Sequence, residues 1–350
     1  MKKNKKQEKR RKKLRTLILL LFLTIIMFGT STYAWFTANK VVTINALDVQ
    51  VSASNGIQIS TNAKDWKSVI TKADIITGYS YNNGDLTSIN QVPTEITAVS
   101  TDMVAQTGGI LNMYSSIIEN NATDGSYTIR TAKETDTNGQ SGKYIAFDVF
   151  LRVDTAQTVY LTSGSDVVLT NSNDEDRGLK NAARVAFVNN GNGPATTAPE
   201  TLAAYNAAGE VISWEPNSDS HSAFVVSSVA PEYGVTLTET STGSGKYNAV
   251  EYRGVNKEIT TALSLKEVVN KTDTSATSIV NPTIKTTEEN AAYNTFKASL
   301  PAGVTKYRVY MWVEGQDIDC ENNATGSNIS FKVELSTENP NASSASTTQP

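Results

Sequence analysis

The chain carries one histidine, His221, in the polar stretch SDSHSAF. Zinc hydrolysis of the HExxH kind needs two histidines meeting one metal, so this chain cannot run it. A Ser-His-Asp triad needs only one, but no GxSxG turn is present to present the serine. His221 is therefore expected as an exposed loop residue, and no enzymatic activity is expected. Carboxylates fall in two groups. The carboxylates Asp174, Glu175 and Asp176, grouped with Asn171, Ser172 and Asn173, read as a solvated loop, with a Ca²⁺ site as the alternative; Asp176 stands where an EF-hand loop needs its turn glycine. Glu314, Asp317 and Asp319 follow a strand-like run and read as a tight strand-exit turn. The alternative there is a Ca²⁺ site, because Ca²⁺ takes roughly six to eight oxygens. No other cofactor is expected. Tyr310 and Trp312 share one face of a strand pattern. Packing under a neighbouring sheet is the expected role, and stacking on a sugar ring is the alternative. Cys320 is the only cysteine, so no intramolecular disulfide can form, and it is expected to be buried as a small hydrophobe.

The elements that must hold these residues read as β. In YIAFDVFLRV, residues Ile145, Phe147, Val149, Leu151 and Val153 alternate with Ala146, Asp148, Phe150 and Arg152. KYRVYMWVEG sets Tyr307, Val309, Met311 and Val313 against Arg308, Tyr310, Trp312 and Glu314, and NISFKVELS sets Ile329, Phe331, Val333 and Leu335 against Ser330, Lys332 and Glu334. Such alternation predicts half-buried strands. Shorter strands are expected at 47–51, 57–59, 158–162, 183–188, 223–228 and 235–238. Ser54-Asn55-Gly56 predicts a hairpin turn between the first two. Short helices are expected at 65–71 and 200–207. A third is expected from the capping-box spacing at Thr286 and Glu289 through ENAAYNTFKASL to Pro301. Many strands with few helices predict a mostly β, jelly-roll-like sandwich over 35–336, with long loops and insertions at about 60–140 and 190–300. Residues 337–350 are of low complexity and expected to be disordered.

The first 34 residues stand apart. Ten Lys/Arg and one acid lie within residues 1–15, followed by the apolar run LILLLFLTIIMF. Thr32 and Ala34 supply small residues ahead of Trp35, so the segment reads as a signal peptide cut between Ala34 and Trp35. Retention as an N-terminal membrane anchor is the alternative. The basic flank puts the N-terminus inside and the rest outside. Taking those ten basic residues and one acid away from 31 Lys+Arg and 35 Asp+Glu leaves 21 against 34, a net charge of −13. So acidic an exported part argues against nucleic acid as a partner.

The stretch STYAWFTANKVVTINALDVQV resembles the TasA/camelysin family of exported Gram-positive matrix proteins. The residues that carry the likeness are Thr32, Ala34, Trp35, Phe36 and Thr37, with Leu47-Asp48-Val49 in the strand that follows. ARVAFV and YMWVEGQDIDC also look like segments of exported proteins with this signal. The resemblance implies cleavage by a SipW-type signal peptidase and a jelly-roll sandwich. It also implies association of subunits through an N-terminal strand, here drawing on Trp35, Phe36, Val42, Ile44, Leu47 and Val49. The expected role is a secreted biofilm-matrix or cell-surface protein. Its alternative is a membrane-anchored module that binds glycan or a host protein.

Overall fold

The alternating apolar residues of the three strongest strand patterns meet in one core, and that core defines the architecture. The structure, a computed structural model, describes residues 43–45, 48–79, 89–120, 127–170, 178–217, 219–232, 236–247, 263–265, 297–315, 317, 319–320 and 328–340. Its strands in chain order are β1 (Thr43–Asn45), β2 (Asp48–Ala53), β3 (Gln58–Ser60), β4 (Val69–Thr71), β5 (Glu95–Thr97) and β6 (Ser100–Gln106). Then come β7 (Ile110–Asn120), β8 (Tyr127–Glu134), β9 (Ile145–Val153), β10 (Gln157–Leu161), β11 (Asp166–Leu169) and β12 (Ala183–Gly193). The last are β13 (Val211–Trp214), β14 (Leu263–Leu265), β15 (Lys297–Leu300), β16 (Gly303–Val313) and β17 (Ile329–Ser336). Helices are few and short: α1 (Lys72–Thr77), α2 (Pro199–Ala203), and a π-helical turn at Val225–Val229 running into α3 (Ala230–Glu232). Among the described residues no helix is long and apolar enough to cross a membrane.

Two sheets face each other. One runs β15-β10-β17-β2-β4, with β11 also pairing β17; the other runs β13-β12-β16-β9-β3. Between them lie Phe147, Val149 and Leu151 of β9, Val309 and Met311 of β16, and Phe331 and Val333 of β17, each 2% exposed or less. Burying a side chain of this size is worth about 1.5–3 kcal/mol, so these rows hold the sandwich together. The mostly β sandwich expected from the alternation is what the chain forms.

The expected half-burial holds in β17, where Lys332 is exposed and Ser330 and Glu334 are partly exposed, but not in β9 and β16. Every residue of β16 is buried, and β9 leaves only Arg152 partly exposed. A third layer covers the outer face of the five-stranded sheet. Strands β6, β7, β8 and β14 make a four-stranded sheet, and its Leu111 and Met113 pack on Ala146, Ala186, Tyr310 and Trp312. Three strands of that layer, β6, β7 and β8, fall within the insertion expected at about 60–140. Tyr310 and Trp312 sit beneath the layer, both 0% exposed, which is the packing role expected for them.

Local expectations fail where neighbours override propensity. Asn55 and Gly56 both take positive φ (56° and 84°), as a tight turn requires, but β2 and β3 enter opposite sheets and make no hairpin ladder. Residues 69–71, expected in a helix, form β4 on β2. The helix begins one residue later, where the Asp74 carboxylate accepts from the Thr71 backbone N–H at 2.9 Å and its hydroxyl at 3.0 Å. Residues 297–300, expected in the last helix, form β15 on β10; residues 286–296 lie outside the described residues. The 223–228 strand is instead helical, and 236–238 is not a strand. Of the low-complexity tail, residues 341–350 lie outside the described residues.

Candidate functional site

The outer face of the five-stranded sheet carries two buried ion networks. Their charged residues interrupt otherwise apolar strands: Asp148 follows Ala146 on one face of β9, and Lys306 and Arg308 precede Tyr310 on β16. The register sets Arg308 opposite Asp148. Arg308 Nη1 donates to Asp148 Oδ1 at 2.9 Å, and its Nε and Nη2 both lie 2.7 Å from Asp136 Oδ2. The Tyr79 hydroxyl donates to Asp148 Oδ2 at 2.9 Å. Lys306 Nζ stands 3.2 Å from that same oxygen and donates to the carbonyls of Ala203 and Tyr205. The Tyr144 and Tyr310 hydroxyls complete Asp136 at 2.7 and 2.9 Å. Burial works to raise the Asp148 pKa, but the charges of Arg308 and Lys306 and the hydrogen bonds from Arg308 and Tyr79 hold it below 3.8. The Tyr144 and Tyr310 hydroxyls are pushed up by burial and by Asp136. This network ties β9 and β16 to the loops at 79, 89–90, 136 and 203–205.

The second network lies at the end of the same sheet. Arg184, near the start of β12, brings Nη2 to 2.6 Å from both Glu215 Oε1 and Asp317 Oδ2. Only the Asp317 contact has hydrogen-bond geometry; among the described residues, neither Glu215 oxygen receives a hydrogen bond. Arg184 also donates to the carbonyls of Asn181 and Ala183. Asp319 takes the Ser222 backbone N–H on Oδ1 at 3.1 Å and lies with Oδ2 2.5 Å from His221 Nδ1. Both side chains of that pair are 1% exposed, so the expectation of an exposed loop histidine is corrected. Burial pushes Glu215 up to about 8, against the pull of Arg184 and with Asp317 and Glu314 adding to the rise. Burial works to lower His221, but the hydrogen bond and charge of Asp319, helped by Asp317 and Glu215, raise it above 6.5. Asp319 is raised by burial to about 6, with His221 opposing.

The sequence-derived metal candidates Glu314, Asp317 and Asp319 are brought into this one region but do not converge on a point. Glu314 receives the Trp312 indole N–H at 3.1 Å, Asp317 meets Arg184, and Asp319 meets His221. Two successive turns, Asp317 N to Glu314 O and Cys320 N to Asp317 O, carry the chain out of β16. Among the described residues no group of three or more His, Cys, Asp or Glu is placed to hold a metal ion. The segment acts here as a strand-exit turn. Cys320 is 1% exposed, as expected. The 171–176 acids lie outside the described residues.

Of the export and assembly residues, Thr32, Ala34, Trp35, Phe36, Val42 and Leu47 lie outside the described residues. Ile44 is in β1, opposite Ile96 of β5. Val49 is in β2, which runs parallel to β17 with Val49 opposite Phe331, and pairs on its other side with β4. Sequence reasoning missed Asp148, Lys306, Arg308, Arg184 and Glu215. The available signal was a charge at a strand position whose same-face neighbours are apolar. His221 and Asp319 have the contact of a histidine–carboxylate pair, but among the described residues nothing hydrogen-bonds His221 Nε2. What the arrangement does chemically is hold charge in a dry interior. No family model matches the chain, and no curated protein or solved structure matches it at a significant level.

Proposed function

We propose that this chain is an exported structural protein of a Gram-positive cell surface or extracellular matrix, whose copies associate through the segment that follows the export signal. The observation that carries this reading is the position of β1. It pairs with β5 over three residues, in a two-stranded ribbon outside the larger sheets. A two-stranded ribbon is marginal by itself. Its three pairs are met equally well by β1 of a neighbouring copy, and passing the strand on in one direction builds an open filament. β2, by contrast, has hydrogen-bonded partners on both sides in its own sheet, so exchange ends before Asp48. Export rests on the basic, apolar and small-residue sequence of residues 1–34, with a SipW-type peptidase cutting between Ala34 and Trp35.

The alternative, an anchored module for glycan or host protein, is disfavoured by the burial of Tyr310 and Trp312. Light scattering and negative-stain microscopy on a chain starting at Trp35 and one starting at Asp48 test the proposal. Filaments or oligomers are expected from the first alone. Monomer from the first across a wide range of concentration and pH, or filaments from both, would overturn it.

A further inference from the structure

The chain leaving β13 turns back over the end of the five-stranded sheet and places His221 against the exit turn of β16. We propose that His221 and Asp319 form a proton-dependent latch: a protonated His221 pins residues 219–232 and 236–247 to the sheet end, and loss of that proton releases them.

The geometry supplies the tie. The segment meets Asp319 twice, through the His221 ring at 2.5 Å and the Ser222 backbone N–H at 3.1 Å. Residues 239–247 ride on the same point. The Tyr247 ring lies 5.7 Å from the His221 ring, Tyr247 N donates to the Asp219 carbonyl at 2.8 Å, and Lys246 Nζ reaches Asp219 and Ser220 at 2.8 and 2.7 Å. The two Asp319 contacts thus tie the first stretch to the exit turn, alongside buried Val225 and Ala230, and the second stretch is tied to the first at Asp219 and Ser220.

The surrounding charges make that contact depend on a proton. The exit turn presents Asp317 and Asp319, the end of β13 presents Glu215, β12 presents Arg184, and Glu314 lies beside them under the Trp312 indole. On the loop side stand the Tyr247 ring and the mutually paired Asp219 and Lys246. The buried carboxylates thus outnumber the cations, with Arg184 and protonated His221 as the only two positive charges that enter the cluster among the described residues. With Glu215 also protonated, Arg184 pairs with Asp317 and His221 with Asp319, while Glu314 is met by the Trp312 indole N–H. Neutral His221 leaves the Asp319 carboxylate buried without an opposite charge, a costly state in a dry site. His221 is raised above 6.5 and Asp319 to about 6, so the pair is charged between those values and the latch opens as pH rises through the raised His221 value.

His221 is the only histidine of the chain, so its ring proton resonance in an NMR titration of the whole protein assigns itself. The midpoint is expected above 6.5. Amide exchange within 219–232 and 239–247, corrected for the intrinsic rate, is expected to speed up about tenfold across that same midpoint, while β16 stays protected. His221→Phe keeps a ring against Tyr247 and is expected to abolish the pH step. A midpoint at or below 6.5, exchange that does not follow the titration, or an unchanged step in the phenylalanine variant would each overturn the latch. If that variant does not fold, the two measurements on the unaltered protein decide alone.

Discussion

Asp148 and Arg308 stand directly opposite each other on neighbouring strands and close at 2.9 Å, with side chains 4% and 3% exposed. Charges so placed are tolerated because each is met from several sides: Asp148 by Arg308, Lys306 and Tyr79, and Arg308 by Asp136 and the Ile89 carbonyl. Removing one member strands the others in the dry cover over the outer face of the five-stranded sheet.

Asp148→Ala is therefore expected to cost about 3–5 kcal/mol, the range for breaking a buried ion pair. The loss should appear as a lower denaturant midpoint at unchanged slope. The carboxyl is held below 3.8, so its contribution is present above that pH and is lost as pH falls through the lowered value. The gap in stability between the two proteins should therefore narrow in acid.

Val149→Asp tests the sandwich core itself. Val149 is 0% exposed and lies opposite Tyr307 in the ladder, on the face away from the Asp148 network. A carboxylate there meets no cation, and a loss above about 4 kcal/mol is expected. An unchanged melting temperature would remove Val149 from the core.

The core strands were legible because period-two alternation sorts side chains whatever the partner. Phe147, Val149, Val309 and Phe331 all land where that pattern puts them. The burial of the second face was not legible, since it depends on which distant segment covers it. Strand β8, YTIRTAKE, lies in the region expected as an insertion, yet it belongs to the covering layer. The networks were hidden for the same reason. Nothing local says that Arg308 will stand opposite Asp148, 160 residues away, or that the turn after β16 will close on a histidine from the loop after β13. The helix expected from the capping box at Thr286 and Glu289 gives way to β15 at residues 297–300, and the helix expected at 65–71 gives way to β4, where strand pairing is stronger.

Glu215→Gln probes the second network. Burial raises Glu215 to about 8, so the folded chain holds a proton there that the unfolded chain releases near 4.5. Its share of stability is present below about 4.5 and is lost as pH rises towards 8. The glutamine, neutral throughout, should flatten the decline in melting temperature over that window and leave the variant the more stable of the two above it. Parallel pH profiles for both proteins would show that Glu215 is ionised in the fold.

Strand exchange at β1 is the central claim, and a mixed-cysteine experiment reads it most directly. The register sets Asn45 opposite Glu95; directly opposed antiparallel residues have Cα atoms about 4.5–5.5 Å apart, within reach of a disulfide. Chains starting at Trp35 and carrying only Asn45→Cys are mixed with chains carrying only Glu95→Cys, then oxidised. A disulfide joining the two kinds of chain, well above the homodimers either forms alone, is the predicted result. No mixed product, together with closure within a single chain when both cysteines are on it, would contradict the account.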